Sequence, residues 1–247
     1  MDVMDWMDGM DPNRESLQRV TPGMSTARSG PPTSYSRLPP ERPPSMHPDF
    51  DFDHPPADPI AAARTWFKDA ESTGLPNPNA MTLATIDPDG HPSARIVLLR
   101  GFDERGAVFF SNRESRKGVG LAAHPRAALL FHWDPLDRQI RIEGRVSHTS
   151  EEESDTYFAN RPRESRVNAW ASSQSRPVAD RAALESMQQS MVVRFGDGPV
   201  PRPPHWGGYR VSLDRLEFWF GNPHRLHDRV VYTARDGGGF SVQRLCP

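Results

Sequence analysis

Between residues 79 and 112 the sequence reads "NAMTLATI", "DPDG", "PSARIVLLRGF", "DERG" and "AVFFSN", three apolar runs separated by two short polar segments. Asp supplies a side chain that bonds its own backbone and Gly supplies the left-handed conformation of tight turns, so successive runs fold back on one another. A tight hairpin leaves no room for a crossover helix, and the pairing is therefore antiparallel. Whatever else the chain does, it must build on this meander.

The meander has material to grow. "RAALLFHW" and "RQIRIEGRVSHT" follow as strands, and "GGYRVSL", "RLEFWFG", "RVVYTA" and "FSVQRL" close the chain. Helical spacing appears in "IAAARTWFKDAEST", where Ile60, Ala63, Trp66 and Phe67 recur before Gly74 and Pro76 stop it. "SRKGVGLAAH" predicts a short helix capped by Ser115, and "SEEESDTYFAN", "SRVNAWAS" and "VADRAALESMQQSMVVRF" form a helical block. About eight strands, mostly hairpin-linked, with helices inserted together predict a mainly β fold: an antiparallel β-barrel with helices packed at its side. An open α+β sheet is the alternative. Strand and helix do not alternate and no glycine-rich nucleotide loop occurs, so a doubly wound fold with ATP or NAD chemistry has no support.

Composition bounds the ordered part. Of the 26 prolines, twelve fall in the first 59 residues among Ser, Thr, Arg and Gly, which predicts a disordered Pro-rich tail over residues 1–56 and one domain over 57–247. The tail opens with repeated Met-Asp pairs, read either as a docking motif or as a biased, solvated terminus. A formal net charge of −2 gives no general attraction to nucleic acid or anionic membrane, so any bound anion must be met locally. The acidic N-terminus is unlike a secretion signal, no run is long enough to span a bilayer, and the single cysteine, Cys246, excludes an internal disulfide. A soluble protein of a reducing, cytoplasmic compartment is expected.

Several cations stand where a bare scaffold would not put them. Arg116 and Lys117 follow the cap Ser115 and oppose the helix dipole, unless an anion docks on the free N–H groups; the ordinary reading is two exposed basic residues. Arg95 and Arg100 flank four aliphatic residues at odd spacing, which sends them to opposite faces of a strand. Gln139, Arg141, Glu143 and Arg145 share a face whose default is solvent. "YFANRPRES" gathers Tyr157, Arg161, Arg163 and Ser165, donors suited to a phosphate monoester. The ordinary role of Trp219, in an aromatic strand, is core packing. In "HRLHDR", an extended chain would align Arg225, His227 and Arg229 as a cationic stripe. A helix would instead set His224 and His227 at metal-ligand spacing, but no carboxylate or thiol cluster completes a site and no metal is expected. These signals agree on anions, and they are more numerous than one phosphate needs.

Taken together, "SARIVLLRGFDERG", "FFSNRESRKG", "RQIRIEGRV", "YFANRPRESR", "AWASSQS", "PPHWGGYRV" and "EFWFGNPHRLHDR" closely resemble the pyridoxamine 5′-phosphate oxidases, from about Asp58 to Pro247 and in the same order. The resemblance implies an FMN-binding split β-barrel, homodimeric with FMN at the interface. Such an oxidoreductase oxidises pyridoxamine or pyridoxine 5′-phosphate to pyridoxal 5′-phosphate and reduces O₂ to H₂O₂. Carried onto this sequence, it assigns FMN contacts to Arg95, Ile96, Val97, Leu98, Leu99, Arg100, Phe110, Ser111, Arg116, Lys117, Gln139, Gln174, Ser175, Trp219 and Arg229. The substrate phosphate falls to Arg100, Tyr157, Arg161 and Ser165. Arg225 and His227, with Leu226 between them, would hold the substrate ring against the flavin as the catalytic pair. Four departures stand out: Arg100 for the usual Lys, Asn168 for Gly, Phe220 for Gln, and an N-terminal Arg and Tyr motif of which Arg42 and Ser45 are the nearest equivalents. They keep two alternatives in view, a related FMN oxidase of the phenazine-forming type and a carrier that binds FMN or pyridoxal phosphate without turnover.

Overall fold

The computed structural model describes residues 50–247; the Met-Asp repeats and the Arg42 and Ser45 positions lie outside the described residues. Ten strands form one curled antiparallel sheet: β1 (Ala80–Ile86), β2 (Pro92–Leu98), β3 (Gly101–Asp103), β4 (Gly106–Asn112), β5 (Arg126–Trp133), β6 (Arg138–His148), β7 (Trp206–Val211), β8 (Arg215–Phe220), β9 (Asp228–Ala234) and β10 (Phe240–Arg244). Five helices pack beside it: α1 (Pro59–Glu71), α2 (Arg116–Ala123), α3 (Glu151–Ala159), α4 (Arg163–Ala171) and α5 (Arg181–Phe195). The expected class is thus observed, with two more strands than the eight expected. "PSARIVLLRGF" is not one strand: it breaks after Leu98, and β3 turns to pair with β4 while β2 stays with β1.

The order β10-β9-β8-β6-β5-β1-β2 makes β6 the spine. Its first half, residues 138–143, bonds β8, and its last three residues, 146–148, bond β7. The change of partner falls at Gly144, where any Cβ would lie 1.9 Å from the Ser212 carbonyl oxygen; a side chain there would push β7 and β8 away from β6. Alternation then sorts the faces. Ile140 and Ile142 are fully buried beneath the sheet, while Gln139, Arg141 and Glu143 face away from the core.

The core fills the concave side. Asp58 caps α1 by accepting from the Ile60 and Ala61 N–H groups, and the face bearing Ile60, Ala63, Trp66 and Ala70 turns inward. The Trp66 ring meets Phe218 edge-on at 5.1 Å. Phe50 and Phe52, which composition places in the tail, belong to this core: they are 2% and 7% exposed, and Phe50 lies 4.8 Å from Phe218. The Tyr232 hydroxyl also donates to the Pro56 carbonyl at 2.8 Å. The packed domain therefore begins by residue 50 and not at 57, because two aromatic rings outweigh the prolines around them. Among the described residues no helix is long and apolar enough to cross a membrane.

Candidate active site

The first cluster forms where β4 runs into α2. Ser115 caps the helix, its side chain accepting from the Gly118 N–H. Lys117, the second residue of the helix, points into the protein and is 2% exposed. Its ammonium donates to Ser111 Oγ and Gln174 Oε1, both at 3.1 Å, and reaches Ser115 Oγ at 3.4 Å. Arg116 leaves in another direction and binds Asp87, with Nε at 2.8 Å and a terminal nitrogen at 2.5 Å. The pair expected to close together on one anion is thus divided: Lys117 joins Ser111 and Gln174, while Arg116 is anchored by the β1–β2 turn. Helix N–H groups, an inward ammonium, two hydroxyls and an amide make a donor set whose chemistry fits a phosphate monoester.

Beside it stands the second set. Tyr157 lies flat on Phe110, with ring centroids 4.0 Å apart and planes 3° from parallel, and Trp206 lies near-parallel to both, 5.4 Å from Phe110 and 6.1 Å from Tyr157. Arg100 approaches the Tyr157 ring at 5.9 Å, and Arg161 lies over Trp206 at 5.0 Å. A cavity of about 510 Å³ opens here, lined among others by Ser111, Gln174, Arg161, Ser165, Asn168 and Trp206. Residues expected at FMN, Ser111 and Gln174, and residues expected at the substrate phosphate, Arg161 and Ser165, therefore share one cavity. Asn168, in place of Gly, receives a 2.8 Å hydrogen bond from the Gln188 side chain and ties α4 to α5. Ser175 takes a left-handed backbone (φ 69°) on the loop after α4.

The third set lies on the sheet. Register puts Gln139 of β6 opposite Trp219 of β8, and Trp219 opposite Arg229 of β9, so the three form one row across three strands on the face away from the core. Trp219 is not a core residue; its neighbours Phe218 and Phe220 are, at 0% and 1% exposure, and Phe220 packs on Phe52. The Trp219 ring instead meets His227 at 4.7 Å. "HRLHDR" adopts neither expected form. Pro223, His224 and Arg225 make a single 3₁₀ turn in which His224 (φ 57°) and Arg225 (φ 62°) are left-handed, and β9 starts only at Asp228. Arg225 thus does not share a strand face with Arg229. Pro223 starts the turn, and the Asn222 N–H closes it by donating to His227 Nδ1 at 3.1 Å. Two consecutive non-glycine residues with positive φ store backbone strain, a feature that clusters at functional sites.

Sequence reasoning missed Glu217. This carboxylate is 2% exposed on β8 and receives Arg229 through Nε at 2.8 Å and a terminal nitrogen at 2.7 Å, Arg141 at 3.4 Å and Arg215 at 3.6 Å. Its signal was legible: alternation in "RLEFWF" sets Glu217 beside Arg215 and Trp219, on the polar face of the strand. Arg95 through Leu98 lie on β2 at the sheet edge, where β2 pairs with β1 alone and Ile96 is 45% exposed, while the Arg100 N–H already bonds the Val108 carbonyl of β4 at 2.8 Å. Arg95 folds back on β1, donating to Thr85 Oγ1 at 2.7 Å and the Leu83 carbonyl at 3.2 Å.

Within one chain these sets do not meet around a single small molecule. Asp87, which holds Arg116, follows the end of β1 that aligns through β5 with Arg145, six residues along β6 from Gln139. That is roughly 20 Å along the strand direction. The arrangement has two halves at opposite ends of the sheet.

A curled antiparallel half-barrel with helices beside it and basic side chains around a cavity defines a split-barrel protein. The pyridoxamine 5′-phosphate oxidase family model matches residues 67–189, and the model for the pyridoxine 5′-phosphate oxidase C-terminal dimerisation region matches residues 206–247. A pyridoxine/pyridoxamine 5′-phosphate oxidase of Cupriavidus necator is 58% identical over 190 residues, covering 77% of this chain and 89% of the relative. The protein of that name from Burkholderia multivorans is 61% identical over 193 residues, with the same coverage. Among solved structures, PhzG from Burkholderia lata 383 in complex with tetrahydrophenazine-1-carboxylic acid superposes with a TM-score of 0.75 at 32% identity, covering 82% of this chain and 98% of that one. A pyridoxamine 5′-phosphate oxidase-related, FMN-binding protein of Nostoc punctiforme shares the fold, with a TM-score of 0.62 at 17% identity over 77% of this chain and 98% of that one. The chain belongs to the pyridoxamine 5′-phosphate oxidase family and is an oxidoreductase.

Proposed function

We propose that the chain is an FMN-dependent oxidase that converts pyridoxamine and pyridoxine 5′-phosphates to pyridoxal 5′-phosphate, using O₂ and releasing H₂O₂. The observation that carries this reading is the shared cavity: Ser111 and Gln174, which accept from the buried Lys117 ammonium behind them, line one space with the Arg161 and Ser165 donors. FMN, when bound, supplies a two-electron acceptor that O₂ can re-oxidise. Lys117 and the α2 N-terminus would neutralise its phosphate, and Gln139, Trp219 and Arg229 present amide, ring and guanidinium to its ring system. Because that row lies roughly 20 Å along the strands from the Asp87 end of β1, to which Arg116 anchors the start of α2, one molecule of FMN is best held between two copies of the chain, each giving one half. The matched dimerisation region supports this homodimer.

The chain's part in the reaction is to position. Arg100, Tyr157, Arg161 and Ser165 would fix the substrate phosphate, and Arg225 and His227 the ring. His227 accepts the Asn222 N–H at Nδ1, so its neutral ring carries the proton on Nε2 and offers a donor outward. Phe220, whose departure from Gln singled it out, lies in the core and leaves substrate choice to the cavity.

The test is the absorption spectrum of purified, FMN-loaded protein before and after anaerobic addition of pyridoxine 5′-phosphate, followed by aerobic turnover with both vitamers. Bleaching of the flavin band, then formation of pyridoxal phosphate and H₂O₂ in air, is the expected result. An unchanged spectrum together with no turnover sinks the reading; tight pyridoxal phosphate binding without O₂ consumption identifies a carrier. The likeness to PhzG favours a second reading, oxidation of a non-phosphorylated aromatic. That reading wins if such a compound outcompetes both vitamers.

A further inference from the structure

The helix α3 carries Tyr157, and Arg161 follows its end by two residues, yet its own buried face is only Ser154 and Phe158. So small an apolar face does not by itself fix a helix. The Ser154 hydroxyl accepts from the Gly208 N–H of β7 at 3.2 Å, and charge supplies the rest of the grip on α3. Arg202, whose side chain is 10% exposed, uses all three guanidinium nitrogens: Nε to Asp155 at 2.7 Å, one terminal nitrogen to Glu151, and the other to the Trp206 carbonyl at 2.7 Å. Glu151 and Asp155 stand one helical turn apart, so a single planar fork grips both. Arg113 adds a second bond to Glu151 at 3.3 Å. On the other flank Arg210, 11% exposed, joins Glu153 at 2.8 Å to Asp103 at 2.9 Å.

Exposed ion pairs contribute little, but a guanidinium that is nine-tenths buried with each nitrogen bonded to a separate acceptor sets geometry. Its third acceptor matters most. Trp206 belongs to the stack with Phe110 and Tyr157, and lies under Arg161, so Arg202 links the helix to the surface against which both side chains are oriented. We propose that Arg202 is a positioning residue for the substrate phosphate, setting Tyr157 and Arg161 at the cavity by clamping α3 to the start of β7. The inference rests on the reading above in taking Tyr157 and Arg161 as phosphate ligands.

The test uses full-length, FMN-loaded protein and Arg202→Met, which keeps the apolar stem without the charge. KM for pyridoxine 5′-phosphate is expected to rise about tenfold, the worth of one charge-assisted hydrogen bond. The kcat should stay within about twofold, and FMN affinity should not change. Inorganic phosphate, as a competitive inhibitor, should weaken in proportion to KM. In a Tyr157→Phe background the further cost of Arg202→Met should shrink, because both act on one contact. Arg202→Lys, which can keep part of the grip, should give an intermediate KM and serves if Arg202→Met does not fold. An unchanged KM, a fall confined to kcat, or full additivity with Tyr157→Phe overturns the proposal. Equilibrium dialysis of pyridoxal 5′-phosphate against wild type and variants reads the same effect without turnover. A wild type that binds but does not turn over therefore defeats the oxidase reading and leaves this one measurable.

Discussion

Lys117 brings a buried positive charge to the start of α2, within reach of Ser111, Ser115 and Gln174, where a phosphate would meet it. Lys117→Met removes the charge at similar volume. It should weaken FMN binding by about 10- to 100-fold in a flavin-fluorescence titration. A flavin affinity equal to wild type would remove Lys117 from the site. Arg225 makes the opposite prediction. It lies in the strained turn before β9, outside the row of Gln139, Trp219 and Arg229 proposed for the flavin ring, so Arg225→Ala should lower turnover by roughly 100-fold with FMN still bound. Release of FMN on this substitution would reverse that division of labour.

Among the elements, two are tested by simple perturbations. Arg202, then Arg113, hold the Glu151 carboxyl below its ordinary value of 4.5 by hydrogen bonding. A carboxyl lowered in the folded state contributes stability that is present above its unfolded pKa and lost as pH falls through the lowered value. Docking of α3 should therefore loosen in acid, below the ordinary Glu range. The near-UV circular dichroism of the Trp206 stack should report it in wild type, with a smaller acid change in Glu151→Gln, where that group no longer titrates. The N-terminal segment is the second case. Phe50→Ala should cost about 3 kcal/mol in urea denaturation, as for other buried aromatic rings. A chain starting at Ala57 should be less stable still, since Phe52 and the Pro56 acceptor of Tyr232 go as well. Both the helix cap at Ser115 and the hairpin turns were legible in the sequence, because each is decided within a few residues. The burial of Phe50 and Phe52 was not, because their partners Trp66, Phe218 and Phe220 come from far along the chain.

For the whole molecule, the opposed placement of the phosphate donors and the Gln139, Trp219 and Arg229 row predicts that flavin binding is linked to self-association. Dilution through the dimer dissociation range should release FMN, seen as a rise in flavin fluorescence that follows the fall in light scattering, and added FMN should shift both to lower protein concentration. A monomer that keeps FMN at full affinity would end the two-copy arrangement. The sequence by itself determined the antiparallel meander, the helical block and the residue types suited to phosphate, since turn chemistry, periodicity and donor identity are local properties. It also carried the resemblance that placed the chain in its family. Only the tertiary structure decided that Lys117 turns inward while Arg116 turns to Asp87, that "HRLHDR" bends into a strained turn, and that Glu217 and Arg202 organise the cations around them. The reason is physical: where a long charged side chain points depends on which carboxylate or carbonyl the fold brings within hydrogen-bond reach, and those partners lie tens of residues away.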